Sequence, residues 1–145
     1  MSRINPILPE PILFSTPLTI QIGDINYGNH LANDAVLRLS HEVRIRWLKQ
    51  YGFTELDAGG AGLIMTEAAI RYTAQAHHGD ELIADLGVNE ISKNGFGIVV
   101  QLISTNSGKI VATVYSGLLF FDYSTQRVVR MPEAFQTILT HLPII

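Results

Sequence analysis

The chain has 145 residues, of which 47% are hydrophobic and 16% are charged, with a net charge of −3 and no cysteine. This length and composition predict a single domain over residues 1–145 that buries a sizeable core. The negative charge gives no electrostatic case for a nucleic-acid partner. The lack of cysteine excludes disulfides, thiol nucleophiles and cysteine-based zinc sites.

The N-terminal segment, residues 1–11, carries three prolines and is predicted to be an extended arm. It has no long apolar run, so we do not expect it to be a signal peptide. The most apolar later stretch, residues 111–121, is too short to cross a bilayer. We therefore expect a cytoplasmic protein without membrane insertion.

Hydrophobic periodicity predicts five strands and one long helix. Alternating apolar residues predict a strand over 14–22, and apolar residues at helical spacing predict a helix over 31–51, which Gly52 ends. Further strands are predicted at 63–74, 80–91, 96–105 and 110–123, and a short helix at 131–142. This order predicts an α+β fold in which a five-stranded, mainly antiparallel sheet wraps around the long helix.

Polar side chains are concentrated just before the long helix. The sequence there reads Asn26, Tyr27, Gly28, Asn29 and His30. Free N–H groups and the positive end of a helix dipole attract partial negative charge, so this turn is a natural place to polarise a carbonyl group or hold an anion. The alternative interpretation is a polar helix cap without further function.

Three segments, in this order, resemble the hotdog-fold thioesterases of the 4-hydroxybenzoyl-CoA thioesterase type. Residues 24–33 (DINYGNHLAN) are similar to the family's D-x-D-x-x-G-H-V-N-N entry to the central helix. Residues 42–48 (EVRIRWL) are similar to its E-x-A-R-x-x-W-L segment. Residues 70–82 (IRYTAQAHHGDEL) are similar to I-x-Y-x-x-P-A-x-x-G-D-x-L.

The resemblance implies a hotdog fold and hydrolysis of acyl-CoA or acyl-carrier-protein thioesters without a metal or other cofactor. It also implies a homodimer or a dimer-based homotetramer. Active sites would then lie at the subunit interface, where the helix start of one subunit faces strands of the other. An apolar edge strand over residues 111–121 would independently favour pairing of sheets.

The chain departs from the family at Asn26, where many relatives carry the catalytic carboxylate. An amide donates and accepts hydrogen bonds, but it cannot take up a proton at neutral pH. Plant acyl-carrier-protein thioesterases have an Asp-x-Asn-x-His array at this turn, and only His30 of that array is present here. The resemblance therefore transfers the fold more securely than the mechanism.

Four residues are candidates for the catalytic machinery. Asn26 and His30 would orient the carbonyl or the water, and a neutral His30 at the helix start is also a candidate base. Glu67 interrupts an apolar strand, so it is either solvent-facing or a site carboxylate supplied across the dimer interface. Asp24 is the competing acid, with capping of the turn as its alternative role.

The remaining candidates surround the same turn. N–H groups of residues 29–31 would stabilise the oxyanion, and the predicted substrate-binding residues are Tyr27, Gly28, Asn29, Leu31 and Asn33. Arg71, Lys93 and Arg127 would meet CoA phosphates or simply face solvent. Glu42 would form a salt-bridge ladder with Arg38 and Arg46. The pair His77-His78 is interpreted as a loop rather than a metal site.

Two alternatives to thioester hydrolysis stay open at this point. The first is a non-catalytic hotdog protein that binds an acyl group or small ligand and has lost the acid. The second is a hotdog hydratase or dehydratase, which would rely on a histidine and an acid in a different motif.

Overall fold

The structure is a computed structural model that describes residues 4–142. The helices are α1 (Asn33–Lys49) and α2 (Glu133–Ile138), and a short 3-10 turn spans Ile22–Asp24. The strands are β1 (Phe14–Thr19), β2 (Gly62–Tyr72), β3 (Glu81–Asn89), β4 (Gly95–Ser104), β5 (Ile110–Asp122) and the short β6 (Arg127–Val128).

The strands form one sheet in the order β1-β3-β4-β5-β2, with β6 paired to β5. Every neighbouring pair is antiparallel. The predicted α+β class and the five-stranded sheet are confirmed, and β6 is an addition that the sequence did not predict. The prediction of an apolar edge strand over 111–121 is wrong, because β5 lies inside the sheet. The edges are β1 and β2.

Helix α1 packs along the inner face of the sheet. Its buried side chains recur at helical spacing and include Val36, Leu39, Val43 and Trp47. The helix ends as predicted, because Gly52 adopts a φ of +73° and its N–H group donates to the carbonyl of Lys49. The predicted bounds of 31–51 were two residues too wide at each end.

An aromatic cluster closes the core at the C-terminal end of α1. Phe135 of α2 lies 4.9 Å from Phe96, 5.0 Å from Phe120 and 6.0 Å from Trp47, measured between ring centroids. Burial of these rings explains why a helix of only six residues is stable here. The helix predicted over 131–142 is therefore present, but it is shorter.

The N-terminal arm crosses the outer face of the sheet, opposite α1. Arg71 of β2 donates to Asn5 at 3.4 Å, and the N–H group of Leu13 donates to the carbonyl of Leu86 on β3 at 2.8 Å. Pro9 lies directly over Gly87, where a Cβ atom would collide with it. Residues 4–9 form neither helix nor strand and residues 10–11 form a bend, while residues 1–3 of the predicted arm lie outside the described residues.

Candidate active site

The polar turn before α1 is built around the side chain of Asn26. Its Oδ1 atom accepts the N–H groups of Gly28 at 2.9 Å and His30 at 3.2 Å. Its backbone N–H group donates to the carbonyl of His30 at 2.9 Å. Asn29 has a φ of +65°, a left-handed conformation that asparagine tolerates better than most residues and that suits glycine, the family's residue at this point of the motif. Asn26 is therefore the residue that shapes the turn.

The expected oxyanion donors are already occupied in the chain. The N–H group of Asn29 donates to the carbonyl of Asn26 at 3.0 Å, and that of Leu31 donates to the carbonyl of Ala76 at 2.8 Å. The N–H group of His30 is held by Asn26. These three donors are not available to a substrate in this structure, which differs from the sequence-based expectation.

Unoccupied donors lie slightly further along, in the first turn of α1. The N–H groups of Asn33 and Asp34 have no acceptor among residues 4–142, and no side chain caps the helix. Both groups lie at the positive end of the helix dipole. Tyr72 of β2 donates its hydroxyl to the carbonyl of Asn33 at 2.9 Å, so the edge strand touches the start of the helix.

Asp24 is a buried residue with two structural partners. Its Oδ2 atom accepts the N–H group of Gln21 at 2.8 Å, which closes the 3-10 turn, and its Oδ1 atom lies 3.2 Å from Nη1 of Arg38. Its carbonyl accepts the N–H group of Ala32 at 2.8 Å. These contacts fit its alternative role in capping, while its catalytic role stays a prediction.

Glu67 lies on the outer face of the sheet. It is in register with Gly117 of β5, whose neighbours Ser116 and Leu118 are buried on the inner face, and a β-bulge precedes it. The side chain is exposed, so the solvent-facing alternative describes the single chain. The structure does not bring Glu67 to the turn within one chain, and its role as a base supplied by a partner stays a prediction.

Tyr115 and Glu90 lie beside Glu67 on the outer face of the sheet. The hydroxyl of Tyr115 lies 2.6 Å from Oε2 of Glu90 and 3.3 Å from Oε1 of Glu67. Burial raises the pKa of Tyr115 well above its usual range, and the hydrogen bond to Glu90 and the two carboxylate charges add to this effect. Tyr115 is therefore a neutral hydrogen-bond donor between two acids.

The loop between β2 and β3 packs against the turn, which the sequence pattern did not reveal. The rings of His30 and His77 lie 5.2 Å apart, measured between centroids, and their planes are inclined by 58°. Asp80 stands beside His77, with 3.7 Å between Oδ2 and Nδ1. The loop assignment for His77-His78 is confirmed. Within residues 4–142, no three side chains of the metal-binding types gather around a common point.

The other predicted substrate-binding residues surround the turn. Tyr27 is fully exposed, Leu31 packs against the core, and Asn33 is the first residue of α1. Tyr27 and Gly28 form the tip of the turn, which the hydrogen bond from Asn29 to Asn26 closes. The structure brings these five residues together with Asn26 and His30, and their contact with substrate stays a prediction.

The charged residues of α1 pair differently from the predicted ladder. Glu42 pairs with Arg46 at 2.6 Å, whereas Arg38 turns away to Asp24. Sequence periodicity did not indicate Arg44, a buried residue that pairs with Glu55 at 2.6 Å. Asp24 therefore pairs with Arg38, which helical spacing alone would assign to Glu42.

The antiparallel sheet around a central helix, together with the polar turn that opens this helix, defines the hotdog class of thioesterase folds. The sequence matches the thioesterase-like superfamily over residues 20–139, and the chain belongs to this family. It is accordingly an enzyme of the thioester hydrolase class. Comparison with curated protein sequences yields no match.

Solved structures share the fold at low sequence identity. A 1,4-dihydroxy-2-naphthoyl-CoA thioesterase from Synechocystis is 20% identical, with a TM-score of 0.80 over 89% of this chain and 96% of that one. A Staphylococcus aureus protein in complex with CoA is 19% identical, with a TM-score of 0.80 over 95% of this chain and 87% of that one. A gentisyl-coenzyme A thioesterase is 16% identical, with a TM-score of 0.75 over 85% and 99%.

No helix within residues 4–142 has both the length and the apolar character needed to cross a membrane.

Proposed function

We propose that the protein hydrolyses acyl-CoA thioesters at the start of α1. The observation that carries this proposal is the pair of unoccupied N–H groups of Asn33 and Asp34 beside a preformed polar turn. A thioester carbonyl above them would accept both hydrogen bonds, and its developing negative charge would lie at the positive end of the helix. The three solved structures named above, two thioesterases of aryl-CoA substrates and one CoA complex, support CoA over a carrier protein.

A second copy of the chain completes this site. Strand β2 is an edge strand of 11 residues, and an unpaired edge of that length favours pairing with another strand. Two inner-face side chains of the same strand are left exposed, Met65 at 40% and Tyr72 at 51%. Pairing of two β2 edges would cover Met65 and place an apolar wall beside each helix start, where an acyl or aryl group would lie.

The acyl group and the CoA moiety of the bound substrate would then extend from the thioester in opposite directions. The acyl part would point between α1 and the sheet, whose facing side chains are apolar. The CoA part would extend past the exposed Tyr27 at the tip of the turn. Arg71 of the edge strand β2 lies on the outer face of the sheet, and we propose it as a contact for the phosphates of a CoA bound by the neighbouring subunit.

One observation favours a binding protein as the second candidate. The amide of Asn26 is fully explained by the hydrogen bonds that shape the turn, and an amide cannot act as the general base. A protein that kept the pocket and lost the acid would look the same at this position. The hydratase alternative has no such supporting observation.

The experiment is thiol release from a panel of CoA thioesters (acetyl-, octanoyl-, palmitoyl- and benzoyl-CoA), followed with a thiol reagent. We expect release from at least one of them with ordinary enzymatic turnover. Calorimetric binding without thiol release would favour the binding protein. Loss of enoyl absorbance from crotonyl-CoA without thiol release would favour the hydratase.

A further inference from the structure

The loop between β2 and β3 carries a histidine–carboxylate pair, His77 and Asp80, next to the turn. We infer that His77, held by Asp80, is the general base that activates water for thioester hydrolysis. This inference rests on the proposed function and supplies the proton acceptor that Asn26 cannot provide.

The pair is firmly positioned. Oδ2 of Asp80 accepts the backbone N–H group of His77 at 2.8 Å, and the N–H group of Asp80 donates to the carbonyl of His77 at 3.0 Å. The same loop is tied to the chain after β1, because Gly79 donates to the carbonyl of Ile20 at 2.9 Å and Ile20 donates back to Asp80 at 3.0 Å. Four hydrogen bonds, three of them between backbone groups, therefore hold the backbone of the loop beside the turn.

His77 lies against the candidate site rather than elsewhere on the surface. Its ring is 5.2 Å from that of His30, and the residue before it, Ala76, accepts the N–H group of Leu31 at 2.8 Å. The loop and the polar turn are thus joined by both backbone and side-chain contacts. A water molecule beside His77 would also lie near the start of α1.

The carboxylate of Asp80 faces the His77 ring. Nδ1 of His77 is 3.7 Å from Oδ2 of Asp80, a separation that orients the ring without a direct hydrogen bond. Nδ1 faces Asp80, which leaves Nε2 free for a water molecule. The His77 side chain is 56% exposed, so water and a thioester have access to it.

Other titratable groups surround the pair. His30 approaches it from the turn, and His78 follows it in the loop. Tyr72 and Asp34 stand at the start of α1, where the negative charge of Asp34 adds to the effect of burial in raising the pKa of Tyr72. With an elevated pKa, Tyr72 stays protonated at neutral pH and does not compete for the proton.

The reaction balances without a further reagent. Nε2 of His77 removes a proton from water as the water oxygen bonds to the thioester carbonyl carbon, and the oxyanion is held by the N–H groups of Asn33 and Asp34. Collapse of the tetrahedral intermediate breaks the C–S bond, and the imidazolium returns its proton to the departing thiolate. The products are a carboxylic acid and CoA thiol.

The test compares the parent protein with His77→Ala, Asp80→Asn and the control His78→Ala, using the acyl-CoA that the parent hydrolyses fastest. We expect kcat of His77→Ala to fall by about 10²–10⁴-fold with little change in KM. Roughly 50 mM imidazole should restore part of the lost rate, because the site is open to solvent. His78→Ala should keep the parent rate. Asp80→Asn keeps the turn-closing acceptor and should lower kcat without abolishing it.

The outcomes separate two failures. If the parent hydrolyses no thioester, the proposed function fails and the inference falls with it. If the parent is active and His77→Ala matches it, hydrolysis stands and the base is not His77. One combination of results overturns the inference and leaves His77 only a structural role. In that combination His77→Ala loses activity, imidazole restores none of it, and the acid limb of the pH profile of kcat is unchanged.

Discussion

Asn26 is the residue on which the chemistry of the turn depends most directly. Its Oδ1 atom holds the N–H groups of Gly28 and His30. Asn26→Ala removes both hydrogen bonds and should cost about 1–3 kcal/mol of transition-state stabilisation through a misplaced turn. The measurement is kcat/KM on the fastest acyl-CoA.

Asn26→Asp is the matched variant, because a carboxylate accepts the same two hydrogen bonds and restores the family's acid. It should retain the turn and shift the pH dependence of kcat. An Asn26→Ala protein that works as fast as the parent would show that the turn does not take part in the reaction.

Glu67 and His77 are competing candidates for the general base that accepts the proton from water. Glu67 lies on the outer face of the sheet, beside Tyr115 and Glu90, whereas His77 lies against the turn. We therefore expect Glu67→Gln to change kcat by less than about threefold. Asp24→Asn is the parallel variant for the other candidate acid.

A fall of 10²–10⁴-fold for Glu67→Gln would transfer the role of base to Glu67 and require its delivery from a partner subunit. If Asp24→Asn alone abolished activity while its fold was intact, the base would be Asp24 rather than His77.

At the level of elements, a partly buried ion pair between Arg44 and Glu55 connects α1 to the segment that follows it. Burial alone would raise the pKa of the Glu55 carboxyl, but attraction to Arg44 and hydrogen bonds from Arg44 and His41 outweigh burial and lower it below its usual 4.5. A lowered carboxyl pKa stabilises the fold above the unfolded-state value, and this contribution is lost as the pH falls through the lowered, folded-state value.

Glu55→Gln should therefore lower the free energy of unfolding at pH 7 by roughly 2–3 kcal/mol, less than for a fully enclosed pair because Glu55 keeps solvent contact. The deficit relative to the parent should shrink below pH 4.5. Urea unfolding at several pH values measures both effects. Glu42→Gln is the control, since its exposed pair with Arg46 contributes less than about 1 kcal/mol. A deficit that does not depend on pH would contradict the ion-pair account.

Elements with a clear hydrophobic period were predictable from the sequence. The stripe from Val36 to Trp47 and the glycine at position 52 fix α1 because both signals are local. The family motif likewise led to the turn at Asn26. The place of β5 inside the sheet, however, contradicted the expectation of an apolar edge.

The contacts that build the site were not predictable, because they join distant parts of the chain. Leu31 contacts Ala76, and His30 contacts His77, because the loop that joins β2 to β3 lies beside the turn in the folded sheet. The ion pair of Arg38 was not predictable for the same reason, because Arg38 pairs with Asp24 rather than with its helical neighbour Glu42. Occupation of the N–H groups at residues 29–31 also depends on these long-range contacts.

For the whole molecule, the unpaired edge of β2 makes association the main expectation. A dimer built through this edge should have twice the chain mass of 16.0 kDa and persist at micromolar concentration in light scattering. Met65→Lys places a charge at the proposed contact and should weaken the dimer. Ile110→Lys is the control, because Ile110 is similarly exposed at 41% but lies outside β2.

A measured mass equal to that of the monomer at every dilution would contradict the proposal of a site shared between two subunits. A stable dimer that Met65→Lys leaves unchanged would place the interface elsewhere.

The most direct test of the account is the rate of thiol release from the CoA thioester panel by the purified parent protein. The account predicts hydrolysis of at least one acyl- or aryl-CoA to free acid and CoA thiol, at a rate that rises in proportion to enzyme concentration. Failure to release thiol from every member of the panel, by a folded protein that still binds CoA, would contradict it.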